Sequence, residues 1–234
     1  QLSVLNDFRE TPLYFAIRHD QPEVALKLIE CLKASPNQLN IVDKYGATPL
    51  NDAIKMKQED IALKLIENLQ ASPDQLNVAN EEGSTPLHFA IMTKEKDIAL
   101  KLIDCLKKSQ GQLNVQDIVD GSTPLHFAIG CDLPIVAMKL IECLKASPDQ
   151  LNVKDSNGET PLHLAIIDEE TDIAIALINI LPVEQLNQTL LAIETNEEIK
   201  AALQEKLSQQ GRPSLFTGGS NSANEKTSSN KRNP

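Results

Sequence analysis

The chain has 234 residues and a formal net charge of −11; aromatic residues make up 3% of it and Trp is absent. So few aromatics exclude an aromatic-rich core and a base-stacking platform. So acidic a chain excludes general binding to phosphate backbones, which takes clustered Lys and Arg.

Residues 1–10 read as half of a repeat: Leu2-Ser3-Val4-Leu5-Asn6 matches Leu39-Asn40-Ile41-Val42-Asp43. Arg9 stands where later copies carry Gly, so this first turn is expected to be altered. Arg9-Glu10-Thr11-Pro12-Leu13-Tyr14-Phe15-Ala16-Ile17 then opens a helix. Thr is its N-cap, and Pro sits at the first helical position, where its missing N–H costs nothing. Leu, Ala and Ile follow at helical spacing for one buried face. The stretch returns as Gly46-Ala47-Thr48-Pro49-Leu50-Asn51-Asp52-Ala53-Ile54 and Gly83-Ser84-Thr85-Pro86-Leu87-His88-Phe89-Ala90-Ile91. Two more copies are Gly121-Ser122-Thr123-Pro124-Leu125-His126-Phe127-Ala128-Ile129 and Gly158-Glu159-Thr160-Pro161-Leu162-His163-Leu164-Ala165-Ile166. Their Thr residues fall at 11, 48, 85, 123 and 160, in steps of 37, 37, 38 and 37. A fixed period of this size means a repeat array.

A second, longer helix follows in each copy. Val24, Leu28 and Leu32 make an i, i+4, i+8 row that recurs as Ile61-Leu65-Leu69, Ile98-Leu102-Leu106 and Val136-Leu140-Leu144. Lys27, Lys64, Lys101 and Lys139 fall on the outer side, each followed three residues on by an acid, and read as a solvated convex face. Ser35-Pro36-Asn37-Gln38, Ser72-Pro73-Asp74-Gln75 and Ser147-Pro148-Asp149-Gln150 have the residues of a capping box on a short helical turn. A short extended piece then leads back to the next Thr. It carries an Asp or Asn that opens a turn and a Gly that closes it. The one at Asp117-Ile118-Val119-Asp120-Gly121 is a residue longer than the rest.

After Leu181 the pattern degrades: Gln185-Leu186-Asn187 returns, but the piece before the next helix is deleted. Thr195-Asn196-Glu197-Glu198 reads as a capping box, and Ile199, Leu203 and Leu207 as one narrow apolar row under a polar outer face, which suits the end of a solenoid. Residues 211–234, rich in Ser, Asn, Gly and Lys, cannot bury a core and are expected to be disordered.

Thr-Pro-Leu-His-x-Ala, five times in phase if the looser copies are counted, resembles the hallmark of the ankyrin repeat. The likeness covers about residues 1–207. Its unit of 37 exceeds the usual ~33 residues, which reads as an outer helix one turn longer and a short extra turn. The resemblance implies an all-α solenoid of helix-turn-helix units with short β-hairpin fingers. Five repeats and a shortened C-terminal cap then fill 1–207, and a disordered tail fills 208–234.

Little in the chain suits catalysis. His88, His126 and His163 sit repeats apart, and the resemblance makes each a structural hydrogen-bonding residue near its Thr. Asp155-Ser156-Asn157-Gly158-Glu159 hints at a calcium loop but lacks the remaining ligand positions, and reads as a turn. Cys31, Cys105 and Cys143 share one repeat position, ~8–10 Å apart in a stack, beyond disulfide reach; Cys131 does not share it. No cofactor, no metal site and no enzymatic activity are expected.

The resemblance implies a monomeric protein-interaction scaffold. Its contact surface should be the finger tips and inner helices, because the tips differ between repeats whose cores agree. The candidate contacts are Lys44, Tyr45, Glu81, Glu82, Asp117, Ile118, Val119, Asp120, Ser156 and Asn157 at the tips, with Met56 and Met92 extending them along the groove. Ile118 and Val119 either meet a partner or fold back on the neighbouring finger. The partner implied is a protein with an apolar patch and a basic rim, not nucleic acid or membrane. Two other readings stay open: a targeting module of a larger enzyme, and a secreted effector of an intracellular bacterium. The location expected is the cytoplasm, or a host cytosol if the chain is secreted. The start at Gln1 and the apolar first repeat suggest an array cut at its N-terminus.

Overall fold

The computed structural model describes residues 4–108, 110–190 and 196–209. Five helix pairs succeed one another. The inner, seven-residue members are α1 (Pro12–Arg18), α3 (Pro49–Lys55), α6 (Pro86–Met92), α8 (Pro124–Gly130) and α10 (Pro161–Ile167). The outer members are α2 (Pro22–Leu32), α4 (Glu59–Leu69), α7 (Lys96–Leu106), α9 (Pro134–Leu144) and α11 (Thr171–Ile180). Between pairs lies a short turn of helix: α5 (Pro73–Leu76) in one case, 3₁₀ turns at Pro36–Gln38, Gln110–Asn114 and Pro148–Leu151 in the others. The chain closes with α12 (Val183–Leu190) and α13 (Glu197–Ser208).

Inner helices stack on inner helices and outer on outer, and α13 covers α11. The Leu, Ala and Ile of each Thr-Pro-Leu stretch form the inner half of one continuous core, and the outer-helix rows form the other half. The Leu of each Gln-Leu-Asn (Leu39, Leu76, Leu113, Leu151 and Leu186) is fully buried and pins the connecting turn to the stack. Each such side chain removed from water contributes about 2 kcal/mol.

The serines of the Ser-Pro turns do not cap them: none of Ser35, Ser72 and Ser147 makes the side-chain cap bond. The glutamines reach across the stack instead. Gln75 donates to Asn37, Gln112 to Asp74 and Gln185 to Asp149, while Asn40 and Asn77 each donate to the backbone carbonyl of a Gln one repeat on. A further difference lies at α13, where the cap is Asn196, whose Oδ1 accepts from Ile199 N–H at 2.9 Å. Thr195 and all but the first two residues of the expected 208–234 tail lie outside the described residues; of those two, Ser208 closes α13.

The fingers are not β-hairpins; no strand occurs among the described residues. Each is a tight turn held by one side chain. Oδ1 of Asp43 accepts from the N–H groups of Tyr45 and Ala47; Asn6, Asn80 and Asp155 hold their turns in the same way. Backbone bonds stay within the turn, such as Asp43 N–H to the Ala47 carbonyl and Gly46 N–H to the Asp43 carbonyl, too few for a ladder. A single hydrogen bond then ties each tip to the next: Lys44 N–H to Phe8, Glu81 to Tyr45, Ile118 to Glu82, Ser156 to Asp120. Gly83 shows why glycine closes the turn. Its φ is +76°, and a Cβ there would stand 2.8 Å from the Ile118 nitrogen. Arg9 adopts the same left-handed conformation, φ +64°, so the first turn is not altered in shape although its residue is.

The first repeat differs from the others on one side. Val24 is 49% exposed, whereas its counterparts Ile61, Ile98, Val136 and Ile173 are at most 1% exposed. Pro12 and Phe15 are exposed too. The face on which later repeats receive their predecessor is open here.

Candidate functional site

The three histidines of the Thr-Pro-Leu-His stretches turn back on their own Thr, His88 and His126 buried and His163 half-buried. The N–H of Thr85, Thr123 and Thr160 donates to Nδ1 of His88, His126 and His163 at 3.1, 3.1 and 3.2 Å. An accepting Nδ1 bears no proton, so the neutral ring carries its hydrogen on Nε2. His126 uses it to donate to the Glu159 carbonyl, just before the next Thr, at 3.2 Å. Burial lowers the pKa of all three, to about 4 at His88. In the first repeat the Tyr14 hydroxyl takes over the bond, donating to the Ala47 carbonyl. Asn51, in the second repeat, cannot: it is wholly buried, and both atoms of its amide lack a partner. Asn51→His should therefore raise the urea-derived stability by about 1 kcal/mol, the lower end of what an orphaned buried polar group costs; an unchanged midpoint would refute that account.

A charged cluster lies between α1, α3 and the second finger. The Arg18 guanidinium pairs with Glu10, Asp43 and Asp52, with 2.9 Å to Asp43, and stands 5.0 Å over the Tyr14 ring. Burial raises the pKa of Asp52, and Arg18 opposes that rise. Above the cluster is a hollow of about 410 Å³ walled by Phe8, Phe15, His19 and Tyr45. The Lys44 ammonium sits between two of these rings, 4.4 Å from Phe8 and 4.7 Å from Tyr45. Phe8, Phe15 and Tyr45 are 53%, 54% and 54% exposed. A second hollow of about 210 Å³ runs on from Tyr45 to Glu81 and Glu82, with Lys55 on its wall. The Lys55 ammonium rests 4.1 Å from the centre of the Phe89 ring.

The sequence-derived contacts fall into three groups. Lys44, Tyr45, Glu81, Glu82, Ser156 and Asn157 are exposed at the tips, and Ile118 and Val119 are 73% and 70% exposed, the most of any large apolar residues described. Asp117 does not frame them: it is buried and its Oδ1 accepts from Ser122 N–H. Burial, and then the adjoining Asp120 carboxyl, push Asp117 up; hydrogen bonds from Asp117 and Ser122 hold Asp120 down despite its own burial. Met56 and Met92 are exposed, but at the far ends of α3 and α6, about 10 Å from the fingers by helix length. Phe8, Phe15, Arg18 and His19 were not among the candidates, although Asp7-Phe8 occupies a tip position in the half-repeat alignment.

A family model described as ankyrin repeats (3 copies) matches residues 1–77 and 102–189, well over half of the chain. The chain belongs to the ankyrin repeat family. Residues 78–101, outside the match, build the third finger, α6 and the start of α7 of the ankyrin array on the same plan. No curated protein matches the sequence. Among solved structures the array is similar to the ankyrin repeat domain of Bcl-3, described as a unique member of the IkappaB protein family. The two share 20% identity with a TM-score of 0.52, over 84% of this chain and 77% of that one. At that identity the likeness shows the fold alone. Ankyrin arrays are in general protein–protein interaction scaffolds, and no helix among the described residues is long and apolar enough to cross a membrane.

Proposed function

We propose that this array is a non-enzymatic scaffold that holds a partner protein across its finger tips and inner helices. The observation that carries the reading is the exposure of Ile118 and Val119, adjacent β-branched residues on a finger whose backbone is already bonded to its neighbour. Two adjacent apolar side chains left in water at a tip favour a partner that covers them. Glu81, Glu82 and Asp120 give the patch an acidic surround, so the matching surface is apolar with a basic rim. The protein acts as a monomer in a reducing compartment such as the cytosol, where its four cysteines, none in a disulfide, stay as thiols.

The test is capture from lysate on the wild type beside the double variant Ile118→Ser and Val119→Ser. Partners held by the first should be lost by the second, with binding weaker by about 2 kcal/mol or more, the scale of a hot spot, and the melting temperature unmoved. A lower melting temperature with unchanged affinity would show that the pair packs instead.

A further inference from the structure

We infer that the finger row reads an extended segment of the partner in which an acidic, a basic and an apolar residue follow one another three residues apart. The inference rests on the reading that the fingers hold the partner, and it specifies what they hold.

The spacing comes from the backbone. Equivalent positions on neighbouring fingers are separated by one peptide unit and one interstrand-type hydrogen bond, for example Tyr45 O to Glu81 N at 3.0 Å and Glu82 O to Ile118 N at 2.9 Å. A peptide unit spans about 3.8 Å and a bonded pair about 5.5 Å between Cα atoms, so the step is roughly 9 Å. An extended chain advances about 3.3 Å per residue, hence three residues per finger. A helix would need about six or seven residues for the same step, at 1.5 Å each. The tips' own donors are taken: Tyr45 and Glu82 N–H by the turn residues Asp43 and Asn80, Glu81 and Ile118 N–H by the preceding finger. Recognition therefore falls to side chains, not to strand addition.

Those side chains change from finger to finger. The second offers the Lys44 ammonium between two aromatic rings, which suits a carboxylate. The third offers Glu81 and Glu82, both exposed and outside the ion pairs of the described residues, which suit Lys or Arg. The fourth offers Ile118 and Val119. A segment of this composition matches all three at once, whereas a uniformly basic one meets Lys44 and a uniformly apolar one strands Glu81 and Glu82 without a partner.

The experiment uses random 16-residue peptides displayed on phage, selected on the full chain and counter-selected on the Ile118→Ser and Val119→Ser protein. Enriched peptides should carry the acidic, basic and apolar residues at intervals of three, in one direction or the other. A synthetic representative should lose at least tenfold in affinity on Glu81→Lys and Glu82→Lys protein, and regain most of it when its basic residue is changed to Glu. Intervals of six or seven would mean a docked helix, and absence of any fixed interval or of enrichment would likewise overturn the inference, while the finger reading keeps its own capture test. If a parallel selection without the counter-selection step yields only peptides that bind both proteins equally well, that reading falls with it.

Discussion

Stability should fall as pH drops from 6.5 towards 4, well before ordinary carboxylates are protonated. His88 is the main cause. Its ring is wholly buried, its Nδ1 accepts the Thr85 N–H, and burial lowers its pKa from 6.5 to about 4. Between those values the unfolded chain binds a proton there and the folded chain does not. Stability therefore rises with pH across the window and is lost on going down through it. A shift of that size is worth roughly 3 kcal/mol; His126 and His163, lowered by burial as well, act in the same direction. Asp117, Asp52 and Glu170, raised chiefly by burial, work the opposite way and blunt the effect near its acid end. Urea midpoints at pH 7 and pH 5 measure it. His88→Asn, which places there the residue that repeat two already tolerates at Asn51, should be less stable at pH 7 and show a flatter pH profile. Equal slopes in the two proteins would refute the assignment.

The repeat period, the Thr-Pro caps and the apolar rows were legible because each is local: a residue type at a fixed offset with one physical role. The inner core (Leu50, Ala53, Ile54 and their counterparts) lies where that spacing puts it. What was illegible needed either unusual backbone or distance. Asp20, Lys57, Lys94, Asp132 and Glu169 all link an inner helix to its outer one in the left-handed conformation, φ +50° to +61°, and none is the Gly that would have announced it. The β-hairpin fingers came with the resemblance and not from the residues; the Asx turns close too soon for strand pairing. Tip exposure at Ile118 and Val119 could be argued from the missing packing role, whereas Asp117, as polar on paper as Asp120, is turned inward because it is the residue that opens the turn.

The Arg18 cluster is the clearest case of distance, since Glu10, Asp43 and Asp52 come from three elements and meet only in the stack. Arg18→Met should lower stability by about 3 kcal/mol. The side chains of Asp43 and Asp52 are 1% and 9% exposed, so removing the cation leaves two carboxylates in a dry site, the situation that makes breaking a buried pair costly. The figure is set at the low end because the guanidinium itself is a third exposed and partly screened. The variant should also be less handicapped at pH 4 than at pH 7. Without Arg18, the burial that already raises Asp52 acts unopposed, the folded state binds a proton more readily than the unfolded, and acid then favours folding. The repeat itself supplies the rescue. Met92 and Ile167 occupy the Arg18 position elsewhere, Phe89, Phe127 and Leu164 that of Asp52, and Asn6 and Asn80 that of Asp43. Arg18→Met combined with Asp43→Asn and Asp52→Leu should therefore regain most of the loss in a urea melt. A single variant as stable as the wild type, or a triple variant no better than the single, would show that the four charges are not coupled. If the triple variant folds well but no longer holds a partner that the wild type captures, the cluster serves recognition, which its place beneath both hollows already favours.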